Sequence, residues 1–186
     1  MEIEYSLSRA DYIDFQLFAA TKSETIKKNK RKARNRLPII YLILGTILLT
    51  LSDKTFAIIF YFIGVLWYLL YPVLTKKRYV KHYEKYVDEN FKNRFDTLIK
   101  VKFSDDYDTI YTADFEGESK FKTSEIERIF EIRRFIYIKM NSGSQLIIPK
   151  YKIDKIDKLR DELKMISKSK SFDIETEFDL DFKIDK

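Results

Sequence analysis

Few residues in this sequence are of the types that carry out acid–base, nucleophilic or metal chemistry. The chain has one histidine, His82, and no cysteine, which excludes a thiolate zinc site and a cysteine nucleophile. Asp105 and Asp106 are adjacent carboxylates in a turn-like stretch, where solvation explains them. No Gly-rich phosphate loop, HExxH motif or nucleophile elbow is present. The sequence therefore predicts a protein that is not an enzyme, with no cofactor and no small-molecule substrate.

Two clusters of basic residues offer a different chemistry, which is the electrostatic binding of anionic groups. Each cluster borders a long uncharged run in a chain of net charge +6. A basic surface without such runs would indicate nucleic acid, whereas basic residues beside an apolar block indicate a membrane surface. We therefore predict contact with the lipid bilayer and no nucleic-acid partner. The clusters are Lys27, Lys28, Lys30, Arg31, Lys32, Arg34 and Arg36, and then Lys76, Lys77, Arg78 and Lys81.

The two uncharged runs predict a transmembrane helical hairpin over residues 37–74, with spans at 37–52 and 56–74. A span needs roughly 20 apolar residues, and about 17 is the short limit. The second run meets this length, and the first must include Ser52 and a snorkelling Arg36. Two core helices of a soluble protein are the alternative. Such helices normally keep a polar stripe, which neither run has.

The charges outside the runs predict the orientation of the hairpin. Both basic clusters lie outside the hairpin, and the turn between the spans carries only Asp53 and Lys54. Because Lys and Arg near span ends favour the cytoplasmic side, both termini are predicted to be cytoplasmic. Neither span contains an ionisable residue, so the hairpin is predicted to be an anchor rather than a transport pathway.

Two glycines and one proline allow predictions about the packing of the hairpin and the start of its first span. Gly45 and Gly64 lie at similar distances from the turn, so they can face each other and allow the helices to approach closely. Pro38 suits the first turn of a helix and disfavours helical backbone at the residue before it. We therefore predict a break between the basic segment and the first span.

The segments on either side of the hairpin predict further elements. Residues 1–36 are predicted to contain a short strand and an amphipathic basic helix, and Ser8 and Asp11 have the spacing of a capping box at the helix start. Residues 75–96 are predicted to continue the second span as a juxtamembrane helix. Large aromatic or aliphatic residues recur every four positions and mark one face of that helix: Tyr79, Tyr83, Val87, Phe91 and Phe95.

From residue 97 the pattern changes to short alternating runs separated by turn residues. Such regular short strands predict an antiparallel meander, here of six to seven strands over residues 97–167. The fold class is therefore α+β, with a membrane hairpin and a cytoplasmic barrel-like or sandwich domain. A C-terminal helix is predicted to close the domain through one apolar face: Ile153, Ile156, Leu159, Leu163 and Ile166.

The tail over residues 168–186 combines a linker with a strictly alternating strand. One parity is apolar and the other is mainly acidic, so a strand here has two different faces. Three interpretations stay open: a last strand covering an edge of its own domain, a partner-binding or dimer-forming strand, and a disordered acidic tail. The apolar parity comprises Phe172, Ile174, Phe178, Leu180, Phe182 and Ile184.

Three stretches resemble a known family. SKFKTSEIERIFEIRRFIYIKM from Ser119, LIIPKYKI from Leu146 and IDKLRDELK from Ile156 are similar to the C-terminal domain of the YcxB-like family. The resemblance implies a small bacterial cell-membrane protein with two spans and a pleckstrin-homology-like cytoplasmic domain. Thr123 stands where family members often carry Trp. The family has no established activity, so the resemblance assigns no functional residue.

Two functions therefore remain as expectations. The first is a membrane-anchored interaction module that binds a protein or peptide partner, or a second copy of itself, through its β domain. The second is a membrane-surface sensor that binds anionic lipid headgroups through the two basic clusters. Four lysines near the early strands offer a further phosphate site, although such lysines are more often solubilising charges: Lys100, Lys102, Lys120 and Lys122.

Overall fold

The computed structural model describes residues 1–51 and 53–177, and its fold class is α+β, as predicted. The chain forms two compact units. One contains residues 16–89 and is helical. The other contains residues 1–15 together with the chain from Asn90 onward, and it holds the β-strands. The helices are α1 (Arg9–Lys22), α2 (Glu24–Thr50), α3 (Lys54–Asn90) and α4 (Ile156–Lys170).

The predicted capping box starts α1. The Ser8 backbone N–H donates to Asp11 Oδ2 over 2.9 Å, and the Asp11 backbone N–H donates to Ser8 Oγ over 3.3 Å. Two donors at the helix start are thereby satisfied by side chains. The basic segment does not continue this helix. It opens α2 instead, where Ser23 is the N-cap and its side chain accepts a hydrogen bond from the Ile26 N–H.

The predicted break at Pro38 is wrong, because α2 runs continuously through it. Proline in a helix removes one backbone hydrogen bond and crowds the preceding turn. Here Gly64 of α3 leaves room beside Pro38, whose Cα lies 3.7 Å from the position of a Cβ at Gly64. The basic segment and the apolar segment therefore belong to one helix, which packs closely on α3 beside Pro38.

The second span continues into a longer helix, as predicted, but α3 ends at Asn90 and not near residue 96. A 3₁₀ turn follows, so Phe91 and Phe95 lie outside the helix. Their rings pack against Tyr12 instead, with centroid distances of 4.9 Å and 5.9 Å. The four-residue spacing that predicted one helix face therefore continues past the end of α3.

The hairpin glycines allow close approach of α2 and α3, but they do not face each other. A Cβ on Gly45 would lie 2.7 Å from the Tyr61 ring, whereas a Cβ on Gly64 would lie 3.4 Å from Tyr41 Cβ. A tyrosine of the opposite helix therefore packs against each glycine. The Tyr61 hydroxyl also lies 3.1 Å from Thr46 Oγ1, which gives the helix pair a polar contact.

The first sheet contains four antiparallel strands in the order β1–β2–β3–β4. The N-terminal strand pairs with β2, from Glu2 opposite Lys102 to Ser6 opposite Leu98. The β domain therefore includes residues that the sequence analysis placed in a separate N-terminal segment. The strands are β1 (Glu2–Ser6), β2 (Leu98–Phe103), β3 (Thr109–Asp114) and β4 (Gly117–Lys122).

The second sheet has the order β7–β6–β5–β8. Its first three strands are antiparallel neighbours, but β8 runs parallel to β5. The strands within residues 97–167 are therefore antiparallel, as predicted, and the parallel strand β8 comes from the tail, because the intervening α4 returns the chain in the same direction as β5. The strands are β5 (Ile126–Ile132), β6 (Phe135–Met140), β7 (Gln145–Pro149) and β8 (Ile174–Glu177).

The core of this unit follows the inward parity of the strands. Val101, Ile110 and Ile138 are fully buried, and α4 adds Leu159 and Ile166 from its apolar face. Every strand predicted between residues 97 and 150 is present, as is the helix after them. The two sheets do not close into a barrel. An open gap remains between them, and the cleft described below lies in this gap.

Candidate membrane segment and binding cleft

Helices α2 and α3 are long and apolar enough to cross a membrane. Of their most apolar windows, only 6% of α2 and 11% of α3 are buried within the chain. A core helix of a soluble protein would be mostly covered by its own chain. The apolar side chains of these helices are instead exposed along most of their length.

The first basic cluster divides into two groups. Lys30 and Arg34 are half-buried against aromatic rings of α3, whereas Lys27, Lys28, Arg31, Lys32 and Arg36 are exposed. Lys30 Nζ lies 3.9 Å from the centroid of Tyr79, and Arg34 Cζ lies 3.7 Å from that of Tyr68. Desolvation lowers the pKa of Lys30. These cation–π contacts hold the basic turn of α2 on α3.

Sequence reasoning grouped all seven basic residues and missed this division. The available signal was the spacing of Lys30 and Arg34, which are four residues apart and so share one helix face. The second cluster is uniform, since Lys76, Lys77, Arg78 and Lys81 are all exposed. His82 is exposed beside Tyr83, at a ring distance of 5.3 Å.

A cleft of about 650 Å³ opens in the β unit between the inner face of the first sheet and the β6–β7 end of the second. Its lining combines apolar side chains with a polar margin, which is the usual composition of a binding cleft. The apolar lining includes Phe15, Phe91, Ile99, Phe121, Met140 and Leu146.

Tyr5 lines this cleft and holds an unusual polar group. The residue is only 4% exposed, and its hydroxyl has no hydrogen-bond partner among residues 1–51 and 53–177. Burial raises the pKa of this phenol, so it remains a neutral donor. An unpaired buried hydroxyl costs about 1–3 kcal/mol, and a bound group with an acceptor would relieve that cost.

One end of the cleft is acidic. Asp114, Glu116 and Glu118 lie at the β3–β4 turn and line the cleft together with Arg94. Arg94 forms a bidentate pair with Glu116, and its Nε lies 3.1 Å from Glu116 Oε1. Sequence reasoning did not find this cleft, because its residues come from strands far apart in the chain.

Strand β4 lies at the edge of the first sheet and pairs only with β3 in the described part of the chain. Ser119 and Phe121 line the cleft from this strand, whereas Lys120 and Lys122 have the opposite parity and are not among the lining residues. Glu118 shares the parity of the lysines but also lines the cleft, since it lies beside the β3–β4 turn. Such an edge can accept a further strand. Strand β7 is also an edge, but it ends at Pro149, which lacks a backbone donor.

The four lysines considered as a phosphate site lie on the outer face of the first sheet, away from the cleft. Glutamates share that face, and Lys100 Nζ lies 2.6 Å from Glu4 Oε1. Lys102 is opposite Glu2, and Lys120 Nζ lies 5.2 Å from the Tyr111 ring. Mixed charge of this kind is typical of a solvated sheet face and does not concentrate positive potential.

The first part of the tail pairs within its own chain. Ile174 lies opposite Ile129, and Glu175 Oε1 lies 2.6 Å from Arg128 Nη1. The half-buried Phe172 accepts a hydrogen bond at its carbonyl from Ser167 Oγ over 2.6 Å. The interpretation as an edge-covering strand is therefore confirmed for Ile174–Glu177. The remaining residues of the predicted partner strand lie outside the described residues: Phe178, Leu180, Phe182 and Ile184.

A polar cluster surrounds the buried Asp11 of α1, beside residues that follow strands of the second sheet. Tyr151 donates to Asp11, whose two carboxylate oxygens both lie 2.8 Å from the hydroxyl. Arg134 contacts the neighbouring Asp14 over 3.1 Å. Desolvation dominates at Asp14 and raises its pKa to about 6, although Arg134 opposes the shift. Within residues 1–51 and 53–177, no group of His, Cys, Asp and Glu side chains has the arrangement of a metal site.

Comparisons with known protein families, with curated proteins and with solved structures gave no match to this chain.

Proposed function

We propose that this protein is a membrane-anchored interaction module, in which α2 and α3 span a bacterial cell membrane and the β unit binds a protein or peptide in its cleft. The proposal rests on the cleft, because three features occur together there in the described part of the chain: an apolar lining, a buried hydroxyl without a hydrogen-bond partner, and a strand edge without a neighbouring strand. The exposed apolar faces of the hairpin support the membrane placement.

The order of the β-strands supports the proposed pleckstrin-homology-like fold and the relation to the YcxB-like family. A four-stranded meander, a three-stranded meander and a helix follow one another, and the hairpin is inserted between the first and second strands. Fold alone gives no ligand, so the function rests on the cleft.

The orientation can be tested directly because the chain has no cysteine. We expect Asp53→Cys, in the exposed turn, to react with a membrane-impermeant maleimide on intact cells. Lys28→Cys and Ser171→Cys serve as controls and should react only after the membrane is permeabilised. Labelling of the two controls on intact cells would reverse the proposed orientation, and labelling of all three in a soluble fraction would exclude the membrane anchor.

The cleft can be tested by site-specific photocrosslinking in membranes. A photoreactive phenylalanine analogue at Phe121 points toward the cleft, and the same analogue at Tyr111 provides a matched control on the outer face. We expect a discrete protein adduct from position 121 and none from position 111. Equal adducts at both positions, or lipid adducts alone, would contradict binding in the cleft.

Anionic lipid binding is the second candidate, and the exposed basic residues of α2 favour it. Membrane topology already accounts for their charge, and the lysines of the first sheet do not form a separate site. We expect replacement of Lys28 and Lys32 by Gln to weaken retention of phosphatidylglycerol relative to phosphatidylcholine in purified samples. Unchanged retention would remove this candidate and leave the cleft proposal intact.

A further inference from the structure

The edge strand β4 carries a charge pattern that can be compared with the end of the tail. Along its outward parity the order is acidic, basic, basic, from Glu118 through Lys120 to Lys122. The tail over residues 178–186 has outward charges in the order acidic, acidic, basic, acidic, from Asp179 through Asp181 and Lys183 to Asp185. The first three can face the three charges of β4, and Asp185 would then lie beyond the strand, opposite the turn residue Glu116. Opposite charges in directly facing positions stabilise a strand pair, and like charges destabilise it.

Only one strand direction and one register place all three charged residues of β4 opposite a tail residue of the opposite charge. In a parallel arrangement with the same three positions facing, two of the pairs would be of like charge. Shifting the antiparallel register by two residues in either direction creates at least one like-charge pair. The matching antiparallel register pairs Lys183 with Glu118, Asp181 with Lys120, and Asp179 with Lys122.

The same register directs the apolar parity of the tail into the cleft. Leu180 would lie opposite Phe121, and Phe182 would lie opposite Ser119, both of which line the cleft. Charge and apolar parity thus point to one occupant.

The tail cannot reach this position within its own chain. Glu177 pairs with Ile132, at the end of β5 farthest from β4. The strand from Ile126 to Ile132 is about 20 Å long at roughly 3.3 Å per residue. Asp179 is only two residues beyond Glu177, a reach of about 7 Å. The register that pairs Asp179 with Lys122 therefore requires a second molecule.

We propose that residues 178–186 of a second copy of this chain add as an antiparallel strand to β4 and fill the cleft. The inference rests on the proposed function, since it identifies the partner of the same cleft. Confinement to one membrane raises the effective concentration of the tail near its partner. The β4 edge, otherwise open to indiscriminate strand pairing, is thereby covered by a segment of matching charge.

The affinity test uses a fluorescent peptide of residues 177–186 and the full chain truncated after Glu177, in mild detergent. We expect saturable binding, and about tenfold weaker binding when Lys120→Glu and Lys122→Glu are combined, because two attractive pairs become repulsive. The peptide with Asp179→Lys and Asp181→Lys should bind the altered chain and restore the affinity. Lys158→Glu with Lys164→Glu, exposed on α4, changes the net charge equally and should have no effect.

The test in trans uses full-length chains with two different affinity tags, one carrying Phe121→Cys and the other Leu180→Cys. A short bismaleimide should give a mixed dimer, whereas Tyr111→Cys paired with Leu180→Cys should not. A chain that carries both substitutions and cross-links only to itself would overturn the second-copy proposal. If the peptide does not bind but position 121 captures another protein, this inference fails and the proposed function stands. If neither occurs, both fail.

Discussion

The helical hairpin exposes its large apolar side chains, whereas the β unit buries them. In the hairpin, large apolar residues such as Ile58 are exposed, whereas in the β unit residues of the same type, such as Ile138, are fully buried. The same physical rule accounts for both, provided that the surroundings differ, with lipid around one unit and water around the other. Small residues and aromatic rings, and not a large apolar core, hold the hairpin together.

The largest expected effect concerns the boundary between the two regions. Residues 1–22 joined by a flexible linker to residues 90–186 should fold as a soluble protein without the hairpin, because β1 completes the first sheet. Residues 97–186 alone should show no cooperative unfolding, since the buried side chains of Ile3 and Tyr5 are lost. The loss would equal the whole free energy of unfolding, typically about 5–15 kcal/mol. Urea titration followed by circular dichroism measures both.

Cooperative unfolding of residues 97–186 alone would show that β1 is an accessory strand. Insolubility of the joined fragment, with the isolated fragment also unfolded, would instead show that the hairpin itself stabilises the β unit. Either result would remove the sharp contrast between the two regions.

A matched pair of truncations tests the contrast in surroundings. Ile138→Ala should lower the free energy of unfolding of the β unit by about 2–5 kcal/mol through the cavity it leaves. Ile58→Ala, at a position that is 65% exposed, should change hairpin unfolding in detergent by less than about 0.5 kcal/mol. Trp67 is the only tryptophan and lies in α3, so its fluorescence reports on the hairpin. A large cost at Ile58 would mean that protein, not lipid, covers that face.

Close helix approach gives a smaller and more local effect. Gly45→Ala should destabilise the hairpin by about 1–3 kcal/mol, because the new methyl group would lie 2.7 Å from the Tyr61 ring. Gly64→Ala is the matched control, with its nearest contact at 3.4 Å, and should cost less. The Trp67 transition in detergent compares them. Equal losses would point to glycine backbone flexibility as the cause, and restoration by adding Tyr61→Ala would confirm overpacking.

Local patterns predicted most elements of both regions. Alternation located six strands after residue 97, and the apolar runs located the hairpin. These features depend on neighbouring residues, so one sequence suffices to find them. The Ser8–Asp11 capping box is a further example, because its hydrogen bonds join residues three positions apart.

Long-range pairing escaped prediction. Nothing local in Ile3 or Tyr5 shows that their strand pairs with β2 beyond the hairpin, or that α4 returns β8 parallel to β5. The cleft combines residues from both pairings and so could not be anticipated. The continuity of α2 through Pro38 was also missed, since it depends on the space beside Gly64.

The smallest effect is the dependence of β-unit stability on pH through Asp14. Its pKa rises from an ordinary value near 3.8 to about 6 because burial penalises the charged carboxylate. The folded state therefore binds this proton more tightly than the unfolded state, and stability falls as pH rises from about 4 to 6. Two pKa units correspond to about 2.7 kcal/mol, and partial solvation should reduce this to about 1 kcal/mol.

Asp14→Asn should remove this component of the pH dependence, measured as the free energy of unfolding in urea between pH 4 and 7. Asp161→Asn, exposed on α4, is the control and should leave the slope unchanged. A slope that survives Asp14→Asn would assign the effect to another group in the cluster around Arg134. Because the apolar runs of the hairpin contain no acidic, basic or histidine side chain, its Trp67 transition should change little over the same range. That difference would extend the contrast between the two regions from apolar packing to electrostatics.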